Sequence, residues 1–366
     1  NSHVPISLCR YWNESGRMAK LTVPSVDDTI VYPWIKPAIK GLKKNLVYKL
    51  GSRERPRVLT EQLFLKTEKR SSPVYLWAGL SLDIFSRFHD MGAKIIIERI
   101  NCHRATSRRI ISEAGKFRGI SLPNSITDEQ IAEENRKLSF SEAVFCPSPM
   151  VKSSMLENGV SEASLLSTSY GWAPERFPLI SEPRIKNRKP VFLFAGTLCV
   201  RKGIPLLLEA WKKADVDGKL LLCGGIDDDI QAVVARHLTA SSIRHIGYTR
   251  NIGEVYRIAD VFVFPSLEEG GPMVTYEAMA HGIPPLVTAM GGGAIVQNGI
   301  NGLVLSDLDV DAWAQAIAEL VDNSQKRAEL GENARVRAEQ FTWRNVAEQR
   351  AMLLESRFPE LWNKNG

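Results

Sequence analysis

Long apolar runs are missing from this 366-residue sequence. None reaches the roughly 18 residues a membrane-spanning helix needs, and the longest are strand-sized. Cysteine is scarce: Cys9, Cys102, Cys146, Cys199 and Cys223 are scattered and never form CxxC. That argues for a reducing compartment and against a disulfide scaffold or a zinc ribbon. The six histidines never form HxH or HExxH, which disfavours zinc chemistry. Also absent are a GxSxG elbow, a GxxxxGK[ST] loop and a GxGxxG turn after a strand. Serine hydrolases, P-loop kinases and nicotinamide dehydrogenases lose support accordingly. No repeat of 20–50 residues occurs, which excludes solenoids and propellers. No secretory signal opens the sequence, which begins at Asn1 without Met; the expected location is cytoplasmic, and the natural start can lie upstream.

What is present fits two domains of roughly 150–200 residues each. Hydrophobic residues at 44% and charged ones at 24% are ordinary for a globular protein, so disorder, collagen and coiled coil are excluded. The net charge of +6 is uneven: residues 1–100 hold 17 Lys and Arg against 9 Asp and Glu, whereas 181–366 hold 21 against 23. The densest basic stretch, Lys36 to Arg57, has Ile39, Leu42, Leu46, Val47 and Leu50 at helical spacing with Lys40, Lys43, Lys44 and Lys49 between them. A basic amphipathic helix of this kind either packs on a core with a solvated lysine face or lies on an anionic membrane surface.

In the second half, apolar runs alternate with helix-length segments. The runs are VFLFAG (191–196), LLLCGG (220–225), SIRHIG (242–247), VFVFPS (261–266), PPLVTA (284–289) and NGLVLS (301–306). Runs without polar alternation are what a parallel sheet buried on both faces requires, and the strand–helix rhythm predicts a doubly wound α/β domain. The first half repeats the rhythm through strand candidates VPISL (4–8), RVLT (57–60), PVYLWAG (73–79), AKIIIE (93–98) and EAVFCPS (142–148). The expected layout is an N-terminal Rossmann-like domain over 1–180, a linker SEPRIKNRKP at 181–190 and a C-terminal domain over 191–342. Helices are expected at 310–322, 325–340 and 343–358, with the segment 343–366 crossing back onto the first domain. Ligands of such sheets bind at the carboxyl ends of the strands.

Three loops at those ends carry the chemistry. PSLEEGGPMVTYE (265–277) follows a strand and opens a helix. Gly270 and Gly271 let a ligand approach the backbone, and the helix start near Pro272, Met273 and Val274 offers free N–H groups to a phosphate. Glu269 and Glu277 are hydrogen-bond acceptors suited to polyols, one for a ribose and one for a sugar ring. The alternative is a dipole-favoured acid at 269 and a surface helix residue at 277. GTLCVRKG (196–203) places Arg201 and Lys202 at a glycine-bearing turn where they would clamp a diphosphate, and AMGGGA (289–294) is a third glycine loop. Asp-x-Asp pairs at 215–217, 227–229, 307–309 and 309–311 are read as helix-capping residues rather than metal ligands.

These segments resemble the glycosyltransferase family 4 enzymes of GT-B fold, through GTLCVRKG, the run 261–292 and NGINGLVL (298–305). The resemblance is strong over about 190–345. It implies two facing Rossmann-like domains, with Glu277 on the nucleotide ribose, Glu269 on donor-sugar hydroxyls and Lys202 on the diphosphate. Gly196, Thr197, Arg201 and Gly203 complete the donor loop, and Thr197 stands where the family often has Arg, a charge Arg201 would supply. Gly293 and Ala294 stand where the family often has Glu. In the N-terminal half LWAGLS (76–81) and IIIERINCHRA (95–105) look like the family's cleft-facing strand ends, and His103 matches its sugar-contacting histidine. Arg104, Arg108 and Arg109 either seat an anionic acceptor or form a basic helix face. Glu14, Ser15, Gly16 and Arg17 are the nearest thing to the family's first glycine loop.

The implied activity is transfer of a hexose-type sugar, with retention, from a nucleotide-diphosphate sugar to a hydroxyl of a saccharide or lipid-linked saccharide. The setting implied is cell-surface polysaccharide or glycolipid synthesis. His103, Glu269 and Lys202 are the catalytic candidates, with no metal and no cofactor beyond the donor substrate. Peripheral membrane contact through 36–57 would suit a lipid-linked acceptor. Two alternatives remain: a GT-B sugar-nucleotide epimerase, and a nucleic-acid-binding protein using the basic N-terminal region, although that region lacks interleaved aromatics.

Overall fold

The computed structural model describes residues 3–26, 32–41, 47, 54–67, 73–117, 119, 126–177 and 188–362. In the N-terminal half the chain runs through helix α1 (His3–Glu14) and the short strands β1 (Leu21–Val23) and β2 (Ile35–Pro37), which pair in parallel. Helix α2 (Arg55–Thr67) follows, then β3 (Val74–Trp77), α3 (Leu82–Asp90), β4 (Ile95–Glu98), α4 (Arg104–Phe117) and α5 (Asp128–Ser139). The half ends with β5 (Ala143–Cys146), α6 (Pro149–Glu157) and β6 (Leu165–Ser167). Strands β3 to β6 form one parallel sheet in sequence order. Local chemistry sets the helix starts: Ser81 caps α3 by accepting from the Ile84 amide, a Thr127–Gln130 capping box opens α5, and Ser148 with Pro149 opens α6.

The C-terminal sheet is the doubly wound one expected. Its strands are β7 (Val191–Ala195), β8 (Lys219–Cys223), β9 (Ile243–Gly247), β10 (Val261–Phe264), β11 (Pro285–Val287) and β12 (Leu303–Val304). All are parallel, in the order β12-β11-β10-β7-β8-β9. Between them lie α7 (Ile204–Ala214), α8 (Gln231–His237), α9 (Ile252–Ile258), α10 (Met273–Ala280) and the one-turn α11 (Ala289–Gly292). Every residue of β7, β10 and β11 is buried, as two-sided burial demands of a central parallel strand. Helices α12 (Val310–Asp322), α13 (Ser324–Glu339) and α14 (Trp343–Arg357) follow.

Helix α14 packs on α1 and the N-terminal sheet: Trp12 donates its indole N–H to the Ala347 carbonyl (2.7 Å). Arg350 makes an ion pair with Glu98 at the end of β4 (2.6 Å), both wholly buried. The main chain is joined at the crossing as well, where Trp172 donates to Phe341 O and Trp343 donates to Trp172 O, each at 3.0 Å.

Four sequence readings need correction. VPISL is the start of α1 and not a strand, because Val4, Leu8 and Trp12 recur every four residues and bury one helix face. RVLT lies inside α2, whose Pro56 sits in the first turn, where its missing N–H costs nothing. AMGGGA is a helical turn rather than an open loop, capped by Thr288, which accepts from the Gly291 amide. Asp227 makes no side-chain cap, although Asp309 does, accepting from the Ala312 amide at 2.8 Å.

Of the basic stretch, Lys36 belongs to β2 and Ile39 is buried. Residues 42–46 and 48–53, which carry most of the amphipathic pattern, lie outside the described residues, as do 181–187 of the linker. Arg188 is held by Asp260 at 2.7 Å. All five cysteines are buried and unpaired. Among the described residues no helix is long and apolar enough to cross a membrane.

Candidate active site

The loops after β7 and β10 meet backbone to backbone. Gly203 closes the 3-10 turn Val200–Lys202 in the left-handed region (φ +70°), and a Cβ there would lie 2.0 Å from the Pro265 carbonyl. Only glycine fits, and the close approach puts Arg201 and Lys202 directly beside the 265–272 loop.

The three charged residues singled out in those loops are brought together. The Lys202 amine contacts the Glu269 carboxylate, and Arg201 Nη1 reaches Glu269 Oε1 at 3.3 Å and donates to the Glu268 carbonyl at 2.8 Å. The Ser266 hydroxyl donates to Glu269 Oε1 (3.2 Å). Burial, followed by repulsion from Arg201, pulls Lys202 down from its usual range to about 7. Phosphate oxygens placed here would raise it again. A phosphate-bearing ligand seated here above about pH 7 should therefore take up protons as it binds. Calorimetric titrations in buffers of different ionisation enthalpy read that uptake directly, and affinity should weaken between about pH 7 and 9.

Glu277 lies on α10 with its own partners: Tyr256 donates to Oε2 at 3.1 Å, and Arg176 Nη1 lies 3.2 Å from Oε1. Burial raises its pKa, against the opposing pull of Arg176 and Tyr256. The surface-residue alternative for Glu277 is excluded by its 7% exposure. Thr275, two residues earlier on the same helix, donates to the Gly291 carbonyl (2.8 Å) and ties α10 to the third loop. Pro272 precedes that helix, Met273 and Val274 open it, and the Val274 carbonyl accepts from Tyr256 (3.4 Å). Gly196 follows the last residue of β7 and Thr197 comes next in the loop, and the Gly196 amide donates to the Cys223 carbonyl.

The N-terminal candidates are placed differently. His103 is 1% exposed. Its Nδ1 lies 3.2 Å from the Ala105 amide, which points its N–H at it, and its Nε2 faces Asn135 Oδ1 at 2.8 Å. Glu134 Oε2 is 3.5 Å away, so the ring faces α5 rather than the donor loops. Arg104 lies near Glu134, Arg108 pairs with Asp128, and Arg109 with Glu113 and Glu157. Arg17 is bound by Glu348 and Glu355 of α14, so the turn at 14–17 serves the crossover helix.

Sequence reading missed Glu268, Arg176 and Tyr256. Glu268 is 1% exposed, and its only sequence signal is its place beside Glu269. Arg176 belongs to YGWAPERF just before the linker.

Two parallel-sheet α/β domains, with a cationic and carboxylate-bearing set of loops at the strand ends of the second, define the GT-B class. Solved structures agree across nearly the whole chain. Sucrose-phosphate synthase from Thermosynechococcus elongatus superposes with a TM-score of 0.72 at 21% identity, covering 96% of this chain and 92% of that one. Anabaena HepE in complex with UDP and glucose gives 0.66 at 14% identity, covering 96% and 95%. At such identities the likeness is one of fold.

Residues 176–337 match the family described as glycosyl transferases group 1, so the resemblance to glycosyltransferases holds and falls on the C-terminal domain. An uncharacterized glycosyltransferase of Methanocaldococcus jannaschii is 32% identical over 154 residues, covering 41% of this chain and 44% of the relative. A D-inositol 3-phosphate glycosyltransferase of Corynebacterium kroppenstedtii is 31% identical over 172 residues, covering 43% and 38%. The chain thus aligns with about two fifths of the length of these curated relatives.

Proposed function

We propose that this protein is a retaining glycosyltransferase that moves a hexose-type sugar from a nucleoside-diphosphate donor to a saccharide hydroxyl, without a metal ion. The observation that carries the reading is the cluster of Arg201, Lys202 and Glu269 at the carboxyl end of β7 and β10, with buried Glu277 beyond it on α10. The departing diphosphate needs fixed positive charge, which Arg201 and Lys202 supply in a partly buried setting where charge is poorly screened. The sugar and ribose need acceptors for their hydroxyls, which the two carboxylates supply. The names of fold neighbours point the same way: HepE is bound to UDP and glucose, and another neighbour is a lipopolysaccharide outer core galactosyltransferase.

The acceptor belongs on the N-terminal domain, in the line of cell-surface polysaccharide or glycolipid synthesis. Contact of 36–57 with an anionic membrane would serve a lipid-linked acceptor, on the cytoplasmic face. The test is UDP release from UDP-glucose and related donors with oligosaccharide acceptors, followed by NMR of the product anomeric proton. An α-configured product from an α-configured donor is expected. Inversion would contradict the retaining assignment, and no release from any nucleoside-diphosphate sugar would contradict the transferase.

A further inference from the structure

One carboxylate in the 265–272 loop reaches beyond the donor cluster. Glu268 points away from the C-terminal sheet and into the N-terminal domain. It accepts from the side-chain amide of Asn101 (2.6 Å), the backbone N–H of Cys102 (3.0 Å) and the hydroxyl of Ser107 (3.0 Å). Three donors from the β4–α4 junction therefore converge on one buried carboxylate, and Arg201 Nη1 lies 3.5 Å from it on the donor-loop side.

The backbone follows the same docking. A Cβ on Gly270 would lie 2.0 Å from the Ile100 carbonyl, and one on Gly271 would lie 2.7 Å from the Tyr170 ring. The loop is thus pressed against the N-terminal domain at two further points, neither of which tolerates a side chain. Two consecutive residues face different partners: Glu268 binds the loop that carries His103 and also meets Arg201, and Glu269 binds Arg201 and Lys202.

We propose that Glu268 is a positioning residue that fixes the acceptor domain against the donor domain, by holding the 101–107 segment onto the 268–271 loop. The inference deepens the transferase reading and rests on it for its catalytic meaning. A carboxylate removed from three donors deprives the Cys102 amide and the Asn101 side chain of their acceptor and leaves the Ser107 hydroxyl only the Cys102 carbonyl at 3.5 Å. The docking of the two loops should loosen while each domain keeps its own core.

The test compares Glu268→Ala and Glu268→Gln with the wild-type full chain. Three readouts are used: amide hydrogen exchange, small-angle scattering and UDP affinity. In the Ala variant, exchange over 101–107 and 268–271 should rise about tenfold or more, with protection of β7 and β10 unchanged. The radius of gyration should increase, while UDP still binds, since Lys202, Glu269 and Glu277 are all kept. Glutamine keeps one acceptor oxygen and should restore most of the protection.

Unchanged exchange and radius in the Ala variant would overturn the proposal. So would loss of protection throughout both domains in both variants, which would mean a general structural role. If the wild-type chain failed to bind UDP, the donor-site reading would fail on its own, and the scattering and exchange results would still judge the latch.

Discussion

Replacing Arg350 with methionine is expected to destabilise the fold by about 3–5 kcal/mol, and to lower the melting temperature by roughly 10 °C. The guanidinium is wholly buried. Besides the Glu98 pair it donates to the Tyr75 hydroxyl (3.0 Å), the Thr168 hydroxyl (3.1 Å) and the Ser169 carbonyl (2.9 Å), and it lies over the Phe145 ring at 4.9 Å. Burial alone would lower its pKa; Glu98 and Tyr75 outweigh that and hold it above its ordinary value. Removing it strands the Glu98 carboxylate, which has 0% exposure, with no cation beside it and only neutral hydroxyls such as those of Tyr75 and Tyr170 to answer it. The cost is therefore mainly that of an unpaired buried charge. The double variant Arg350→Met, Glu98→Gln should recover much of the loss, since neither charge remains. Thermal and urea melts of the single and double variants check this; equal losses in both would show that the ion pair itself is not the issue.

The second large effect concerns chemistry. Lys202→Ala is expected to slow sugar transfer by about 10²–10³-fold, the usual consequence of losing one positioned charge-stabilising donor. The Lys202 side chain is 13% exposed and that of its partner Glu269 is 11% exposed, so little water would share the role proposed for it at a diphosphate. Steady-state rates of UDP release separate two outcomes. A fall in kcat and kcat/KM together marks charge development in the transition state, whereas a rise in KM alone marks simple binding. Lys202→Arg should rescue poorly, because a planar fork replaces a compact point charge.

The C-terminal sheet was legible in the sequence because its strands are buried on both faces. VFLFA and VFVF therefore read as unbroken apolar runs. VPISL and RVLT show the limit of that signal: a segment of four or five residues is too short to display a period of its own. For VPISL only the later Trp12 reveals the helical stripe. The donor cluster was legible because its members sit within short motifs, Arg201 and Lys202 in one loop and Glu269 in another.

Glu268 was not legible. Its partners Cys102 and Asn101 lie 166 and 167 positions away, and the sequence alone does not say which of two adjacent glutamates faces which domain. Glu277 itself was marked by its motif, but its partner Arg176, 101 positions earlier, was not. His103 illustrates the reverse: the motif marks its position, but the ring direction is set by Asn135 and Glu134 on another helix.

The central claim is that the C-terminal domain seats a nucleoside diphosphate through Glu277 and the β7–α7 loop. Thermal melting against UDP, GDP, ADP and dTDP, for the wild type and Glu277→Ala, tests it most directly. At about 100 times its dissociation constant a bound nucleotide adds about 2.7 kcal/mol, which raises the melting temperature by several degrees. The account predicts such a shift with at least one of the four and its loss in Glu277→Ala. A wild-type chain that none of them shifts, or a variant that keeps the full shift, would contradict it.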